Sequence, residues 1–497
     1  MMDRILNGLL LVPSLLLALL LTACSGPATT SPPTARPMET LPPTATSTPL
    51  ASTATITPPP TPYSTHLTWS DNVTVTAVLT PASSAPPAWS PDGQALAFDV
   101  AEGLALAYTL DFSPQTIYTG PVLGAMWSEP GILWHPDGTR IAFRTSVERE
   151  IDGKPLSLGT LGSITPDGSS IRDLLPGWKA AINGPSFAKG LVGWLDDRTL
   201  TFHAHCGTEC EYLHGIDLIA GDLLDFHTYG PRFHVQTGNP WIVAQHGPSG
   251  RMDFTLVHRD STTLTEPQTA APSWPPSAAI TRTLPLPDRA GAVFMDWAPD
   301  GRRLLALTWD QGWMPLVEAV SDLYLWDMAD GTVTLFAPHV VDAAWSPDGR
   351  HIALLVPGEP IIEDRQYRGT DYALEEPLSY NTVVINADEE TVRSVAEGPT
   401  TRLDAADFFY GRLRPQWSPK GSLLLYFNAA GNLACYNSST ETSAPLTMDG
   451  APLLLDVSCL NITFSPDERY LALIYNDQDR QSPLLYIVDV SGLIADN

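Results

Sequence analysis

Positive charge is scarce in this chain. Its 27 Lys and Arg stand against 55 Asp and Glu, a formal balance of −28 over 497 residues. The first 65 residues contribute nothing to that balance, because Asp3, Arg4, Arg36 and Glu39 cancel, so the excess belongs to the remainder. A surface this acidic repels phosphate backbones and anionic headgroups, which argues against nucleic acid as a partner and against membrane docking through a basic patch. Helical periodicity is missing too: from about residue 66 no long stretch shows it. There is no G-x-S-x-G elbow and no phosphate-binding glycine loop, and the repeats described below fill the chain, leaving no room for a separate hydrolase domain.

What is present begins with ILNGLLLVPSLLLALLL at residues 5 to 21, an apolar run that is short for a membrane span and contains Pro13. It reads as an export signal. The run ends in Leu21, Thr22, Ala23 and Cys24, which resembles the lipobox of bacterial lipoprotein signal peptides, although Arg4 in the leading segment is offset by Asp3. The resemblance implies that residues 1–23 are removed and that Cys24 becomes a lipidated first residue. Acyl chains contribute about 0.8 kcal/mol per buried methylene, so two or three of them anchor stably. Residues 25 to 65 hold 11 Pro and 12 Thr in 41 positions and show no hydrophobic period. Such a segment cannot bury enough apolar surface to fold, so 24–65 is expected to be an extended tether.

The rest is punctuated by one phrase. AWSPDGQALAF at 88 to 98 returns as WHPDGTRIAF, WAPDGRRLLAL, WSPDGRHIALL, WSPKGSLLLYF and FSPDERYLALI. Aligned on the leading aromatic, the copies start at Trp89, Trp134, Trp194, Trp297, Trp345, Trp417 and Phe464, with a degenerate member near Trp241. A strand ends at the aromatic, Pro sets φ for a type I bend, and Asp or Gly closes the turn. The strand that leaves the turn is apolar at nearly every position, so both of its faces need cover. Third and fourth strands follow, as in SDLYLWDMADG and TVTLFAP. Units of this kind bury one another's faces when stacked radially, which predicts an all-β propeller of four-stranded blades.

The phrase resembles the unit of the TolB-like or WD40-like (PD40) propellers, W-S-P-D-G-x-x-I-A-F followed by L-Y-x-x-D-x-x-x-G. The likeness covers residues 66–497 in seven clear copies. It implies a fold and leaves activity open. Counting the Trp241 unit gives eight blades, and treating it as an elaboration of its neighbour gives seven. The last repeat supplies only three strands, so NVTVTAVL at 72 to 79 is expected to complete it and close the ring.

In such a ring the turns after the first and third strands of a blade lie on one face, and the connections after the second and fourth strands lie on the other. The long segments, 144 to 156, 309 to 322, 357 to 379, 176 to 192, 270 to 292 and 398 to 414, are all expected on the second face. Trp309, Trp313, Arg365, Tyr367, Arg368 and Tyr372 are its candidate binding residues, since aromatic and Arg side chains contribute most per contact. In HAHCGTECEYLH, His203, His205, Cys206, Cys210 and His214 have metal-ligating types, as do His227, His234, His246 and His258 further on, but the spacing matches no zinc pattern and no metal site is assigned. Disulfides Cys206–Cys210 and Cys435–Cys459 are the most local of three pairings in an oxidising compartment. No cofactor is predicted, though carboxylates such as Asp99, Asp310 or Asp322 leave room for Ca²⁺ or another divalent ion. The expectation is a monomeric, lipid-anchored module on the extracytoplasmic side of a bacterial membrane, binding a protein, peptide or glycan without chemistry of its own. The alternative is a polysaccharide lyase or glycosidase using carboxylates or His with a divalent metal.

Overall fold

A strand that is apolar at consecutive positions is stable only between two partners, and the structure arranges these strands accordingly. The computed structural model describes residues 73–494, apart from 84, 124–129, 152–153, 176–187, 208–209, 230–231, 247–252, 262, 265–280, 284–290, 310–320, 358–379, 388–391, 395–414, 429–432, 449–450, 453–458 and 476–482. Eight four-stranded antiparallel blades form a ring, numbered here from the first complete repeat. From the innermost strand outward, blade 1 is Ala88–Trp89, Ala95–Val100, Gly103–Tyr108 and Pro114–Thr119. Blade 2 is Ile132–Trp134, Ile141–Ile151, Lys154–Ile164 and Ile171–Asp173, and blade 3 is Ala188–Trp194, Thr199–Gly207, Cys210–Asp217 and Leu223–Tyr229. Arg232–His234, Trp241–His246, Asp253–His258 and Thr281–Thr283 make blade 4; Gly291–Trp297, Arg303–Trp309, Ser321–Asp327 and Val333–Val340 make blade 5. Blade 6 comprises Asp342–Trp345, His351–Pro357, Tyr380–Asn386 and Val392–Ser394, and blade 7 Gln416–Trp417, Leu423–Phe427, Leu433–Asn437 and Thr442–Pro445. In blade 8, Cys459–Phe464, Tyr470–Tyr475 and Leu484–Asp489 take Thr74–Leu79 as their outermost strand, with Thr74 opposite Asp489 and Leu79 opposite Leu485. The expected closure by the N-terminal strand is therefore present.

The core is divided among the seams between blades. Alternate residues of a second strand serve different seams: Leu96 and Phe98 pack with Ala472 and Ile474 of blade 8, whereas Ala95 and Ala97 pack with Ile141 and Phe143 of blade 2. This alternation explains why the strand is apolar on both faces. A fully buried side chain such as Phe98 contributes about 1.5–3 kcal/mol. The repeated tryptophan adds direction. Trp134 Nε1 donates to the Ala88 carbonyl of the preceding blade (2.9 Å), Trp417 Nε1 to that of Ala344 (3.2 Å) and Trp89 Nε1 to that of Thr463 (3.3 Å). Three of the repeat tryptophans also rest on the residue five places after the turn serine position of the blade before. Tyr470 stacks on Trp89, His351 on Trp417, and the Arg303 guanidinium lies 4.9 Å from the centre of the Trp345 ring.

The turns close themselves. Ser90 Oγ donates to Asp92 Oδ1 (2.6 Å), the amide of Gln94 donates to the same oxygen (3.0 Å), and the amide of Ala95 donates to Ser90 Oγ (2.9 Å). Asp348 and Asp467 repeat this at Ser346 and Ser465. In blade 2 His135 stands for the serine, and its ring bridges Asp137 and the carbonyl of Asp197 in blade 3. An Arg following the turn then clamps the Asp that ends the third strand, as in Arg198–Asp217 (2.6 Å), Arg302–Asp327 (2.8 Å) and Arg469–Asp489 (3.2 Å). Blade 2 writes a second such turn at Thr165, Pro166, Asp167 and Gly168, between its third and fourth strands. There the Thr165 hydroxyl, the Ser169 amide and the Ser169 hydroxyl hold Asp167 at a pKa of about 2.

Trp241 begins the second strand of blade 4, as expected of a unit that keeps its later strands and has lost the turn. Two expectations need correction. Residues 144 to 156 are chiefly strand, because the second and third strands of blade 2 pair continuously from Ile141–Ile164 to Ile151–Lys154. Most consequential, the outermost strand of blade 4 is Thr281–Thr283, so 270 to 280 belong to the connection between third and fourth strands and the long elaborations do not all fall on one face. On its way that connection lends Thr263–Leu264 to blade 3 as a fifth strand, opposite Asp225 and Leu224.

Removing residues 73–80 takes away the outermost strand of blade 8 and leaves Leu484–Asp489 as an unpaired edge. The thermal transition followed by circular dichroism is expected to fall and broaden; an unchanged melt contradicts ring closure by this strand.

Candidate functional site

Register identifies equivalent positions in the blades. Leu96, Ile141, Leu200, Leu304, Ile352, Leu424 and Leu471 each pair with the repeat aromatic of their blade. Three residues on, blades 5 to 8 place Leu307, Leu355, Phe427 and Ile474. Blades 1 to 3 place Asp99, Arg144 and His203, opposite Leu104, Leu161 and Leu213, and in blade 4 Gln245 stands opposite Phe254. All four polar residues are buried, with exposures of 2%, 7%, 1% and 1%, in positions where half the ring is apolar. By strand alternation each serves a different seam. Asp99 shares its side with Ala97 toward blade 2, Arg144 with Ala142 toward blade 3, His203 lies opposite in sense to Phe202 and so toward blade 4, and Gln245 shares its side with Val243 toward blade 5.

Burying a polar group without a partner costs about 1–3 kcal/mol, so such an arc is not a neutral substitution of leucine. Asp99 shows how one member is held. Its backbone carbonyl accepts from the amide of Ala82 (3.0 Å), and its carboxylate accepts from Ser83. Burial nevertheless pushes the carboxyl above the usual range, with the Ser83 bonds acting the other way. Asp99 thus fastens residues 82–83, which lead from the closing strand of blade 8 into blade 1.

Among the described residues, two blades of this half, 2 and 3, have second strands that run furthest toward the face of the connections after second strands. In blade 1 the second strand ends four residues after Leu96, whereas in blade 2 it runs ten residues past Ile141 and in blade 3 seven past Leu200. At about 3.3 Å per residue these hairpins rise about 20 Å and about 10 Å above the level of blade 1.

Trp309 ends the second strand of blade 5, with its side chain outside the described residues. Trp313, Arg365, Tyr367, Arg368, Tyr372 and the lipidation candidate Cys24 also lie outside them. Cys206 and Cys210 fall at the tip of the blade 3 hairpin, where Gly207 pairs with Cys210, and Cys459 begins the first strand of blade 8; the side chains of all three are outside the described residues. Cys435 is a free thiol, so the expected bridge to Cys459 is not formed. It sits 3% exposed among Leu425, Leu433, Leu471 and Leu473 at the blade 7–8 seam, and burial pushes its pKa up to about 12. The histidine-rich stretch is divided by strand alternation: His203 faces one side of blade 3, and His214, opposite Phe202, faces the other. His234 packs on Phe294 of blade 5 and His258 on Trp241. Among the described residues no group of three or more His, Cys, Asp or Glu is placed to hold a metal ion.

Sequence reasoning passed over the polar arc, although its signal is plain once the register is known. ALAFD, IAFR, LTFH and IVAQ end in polar residues where LLAL, IALL, LLYF and LALI do not.

No family model and no curated protein matches the chain. Solved structures are similar to it at low identity. An oligogalacturonate lyase in complex with manganese is 11% identical, covering 85% of this chain and 96% of the other with a TM-score of 0.40. A eukaryotic initiation factor is 13% identical over 80% and 83% of the two chains at 0.41. A putative TolB from Agrobacterium tumefaciens is 15% identical over 68% and 86% at 0.29. The three differ in what they are named for, and a likeness at these levels assigns no activity.

Asp99 generates a pH prediction. Its native pKa is raised, so the native state holds the proton more tightly than the unfolded chain does, and the stability due to this group is lost as pH rises through the raised value. Asp99→Asn, which keeps an acceptor for Ser83, is therefore expected to match the parent near pH 4 and to exceed it in urea midpoint at pH 7. Equal differences at both pH values refute the assignment.

Proposed function

We propose that this chain is a lipid-anchored, extracytoplasmic binding module that holds a protein, peptide or glycan partner on one face of its ring and performs no chemistry on it. The observation that carries the reading is the unequal construction of the two faces. One is closed by short turns whose serine, aspartate and amide groups satisfy each other. The other bears the projecting hairpins of blades 2 and 3 and the connections from Trp309 to Ser321, Pro357 to Tyr380 and Ser394 to Gln416. Long connections on a rigid support are where recognition residues accumulate. The connection in blade 4 is the exception on the closed face.

Chain direction supports the same orientation. Thr74 enters blade 8 opposite Asp489, the residue clamped by Arg469 after the Ser465 turn, which puts the entry point on the closed face. The segment 25 to 65 would span up to about 130 Å if fully extended at about 3.1 Å per residue. The acidic balance suits a partner carrying positive charge and keeps an exported domain soluble.

The test is capture from envelope extracts on the immobilised chain lacking residues 1–24. Retention of a defined partner is expected, and Trp313→Ala combined with Tyr367→Ala should abolish it while the melting transition stays put. Undiminished capture by that double variant rejects this face as the binding surface.

A further inference from the structure

Three departures from the repeat phrase fall at one seam. Blade 7 reads Ser-Pro-Lys-Gly, with Lys420 where blades 1, 2, 5 and 6 have Asp; blade 8 reads Ser-Pro-Asp-Glu, with Glu468 where those blades have Gly; and blade 8 opens on Phe464 where they have Trp. Separately each is a loss. Lys420 cannot accept the serine hydroxyl that Asp92, Asp348 and Asp467 accept in their own turns. Glu468 takes φ +67°, beside +71°, +76°, +66°, +71° and +81° at Gly93, Gly138, Gly301, Gly349 and Gly421, a left-handed conformation that a side chain disfavours. Phe464 has no indole N–H to donate across the seam as Trp89, Trp134 and Trp417 do.

Together they form a unit. The Glu468 carboxylate reaches into blade 7 and takes over the role of the missing aspartate. Its Oε1 accepts from Ser418 Oγ (2.5 Å) and from the amide of Lys420 (2.6 Å), and its Oε2 accepts from the Ser422 hydroxyl. The amide of Leu423 donates to Ser418 Oγ at 2.9 Å, as the amide of Ala95 does to Ser90 in the self-contained turn. Lys420, freed from that role, sends Nζ the other way to the Asp467 carbonyl (3.1 Å). Asp467 meanwhile serves its own turn, accepting from Ser465 Oγ (2.5 Å). Glu468 is only 3% exposed, so its carboxylate depends on these donors in place of water.

We propose that Glu468 and Lys420 are a reciprocal clasp that locks the ring-closing blade to blade 7, a seam-specific device standing where three other seams have a tryptophan bond. The clasp matters at this place because blade 8 is assembled from both ends of the folded chain. Its inner edge is secured by Glu468, by Gln416 Nε2 on the Ile462 carbonyl (3.1 Å) and by Asn437 Nδ2 on the Leu493 carbonyl (2.6 Å). Its other seam has Trp89 bonded to Thr463 and stacked on Tyr470. The conformational strain at residue 468 is thus tied to a function in the neighbouring blade, and glycine there would relieve the strain while leaving Ser418 and Ser422 without their acceptor.

The inference is tested on the full chain with Glu468→Gly, Lys420→Asp and the double variant, in urea melts and in amide exchange at Leu423. Glycine alone is expected to raise the unfolding equilibrium constant roughly ten- to hundredfold, the effect of leaving buried donors unsatisfied, despite suiting the backbone better. Lys420→Asp alone sets a second carboxylate beside Glu468 and is also expected to destabilise. The double variant writes ordinary turns in both blades and should recover most of the loss, with protection at Leu423 restored. If Glu468→Gly fails to fold, Glu468→Gln, which retains one acceptor oxygen, is expected to fall between the parent and Lys420→Asp. A Glu468→Gly protein as stable as the parent, or a double variant whose loss is the sum of the single losses, overturns the clasp.

Discussion

Every other feature of this molecule depends on one constraint: no blade can cover its own faces. The second strand of each blade alternates between two neighbours, so its apolar surface is satisfied only when a blade stands on either side. Stability is consequently distributed over seams instead of residing in one centre. A ring has no terminal unit, and that removes the need for the polar caps that open repeat arrays require. It also makes each seam a site where a poor fit is felt by two blades.

The seams are built differently from one another. Between blades 8 and 1, aromatic stacking dominates, with Trp89, Phe112 and Tyr470 in mutual contact. Between blades 5 and 6 a guanidinium on tryptophan and the Asp296 carboxylate on the amide of Trp345 share the work. Between blades 7 and 8 a strained glutamate does it. In the first half of the ring a polar side chain enters each of four consecutive seams. Two of those four blades, 2 and 3, also carry the extended hairpins.

Much of this was legible in the sequence because the turn phrase is a local code. Trp, Pro, Asp and Gly each answer to a bond or a dihedral within a few residues, so their recurrence counted blades and marked first strands correctly wherever the phrase survived. Where it did not, in blade 4, the reading slipped: 270 to 292 was assigned to the wrong face, because the isolated Thr281–Thr283 has no pattern of its own. The pairing of Cys435 with Cys459 was inferred from compartment and proximity in blade order; alternation turned Cys435 into the apolar seam instead. Lys420 and Glu468 looked like decay of the phrase. Only the approach of two turns from adjacent blades shows that the two changes answer each other.

The closing strand has a consequence for how the molecule is made. Thr74 and Asp489 lie at opposite ends of the folded sequence, yet blade 8 does not exist until they pair. Contacts of such long range form slowly, since nothing local rewards the loop they enclose. A chain made from its N-terminus must therefore keep Thr74–Leu79 waiting as a lone strand while the rest is synthesised, and completion of the fold is postponed until Leu484–Asp489 is available. The earliest residues to emerge are then among the last to settle, and any factor that shields that strand in the interval governs the yield of finished rings.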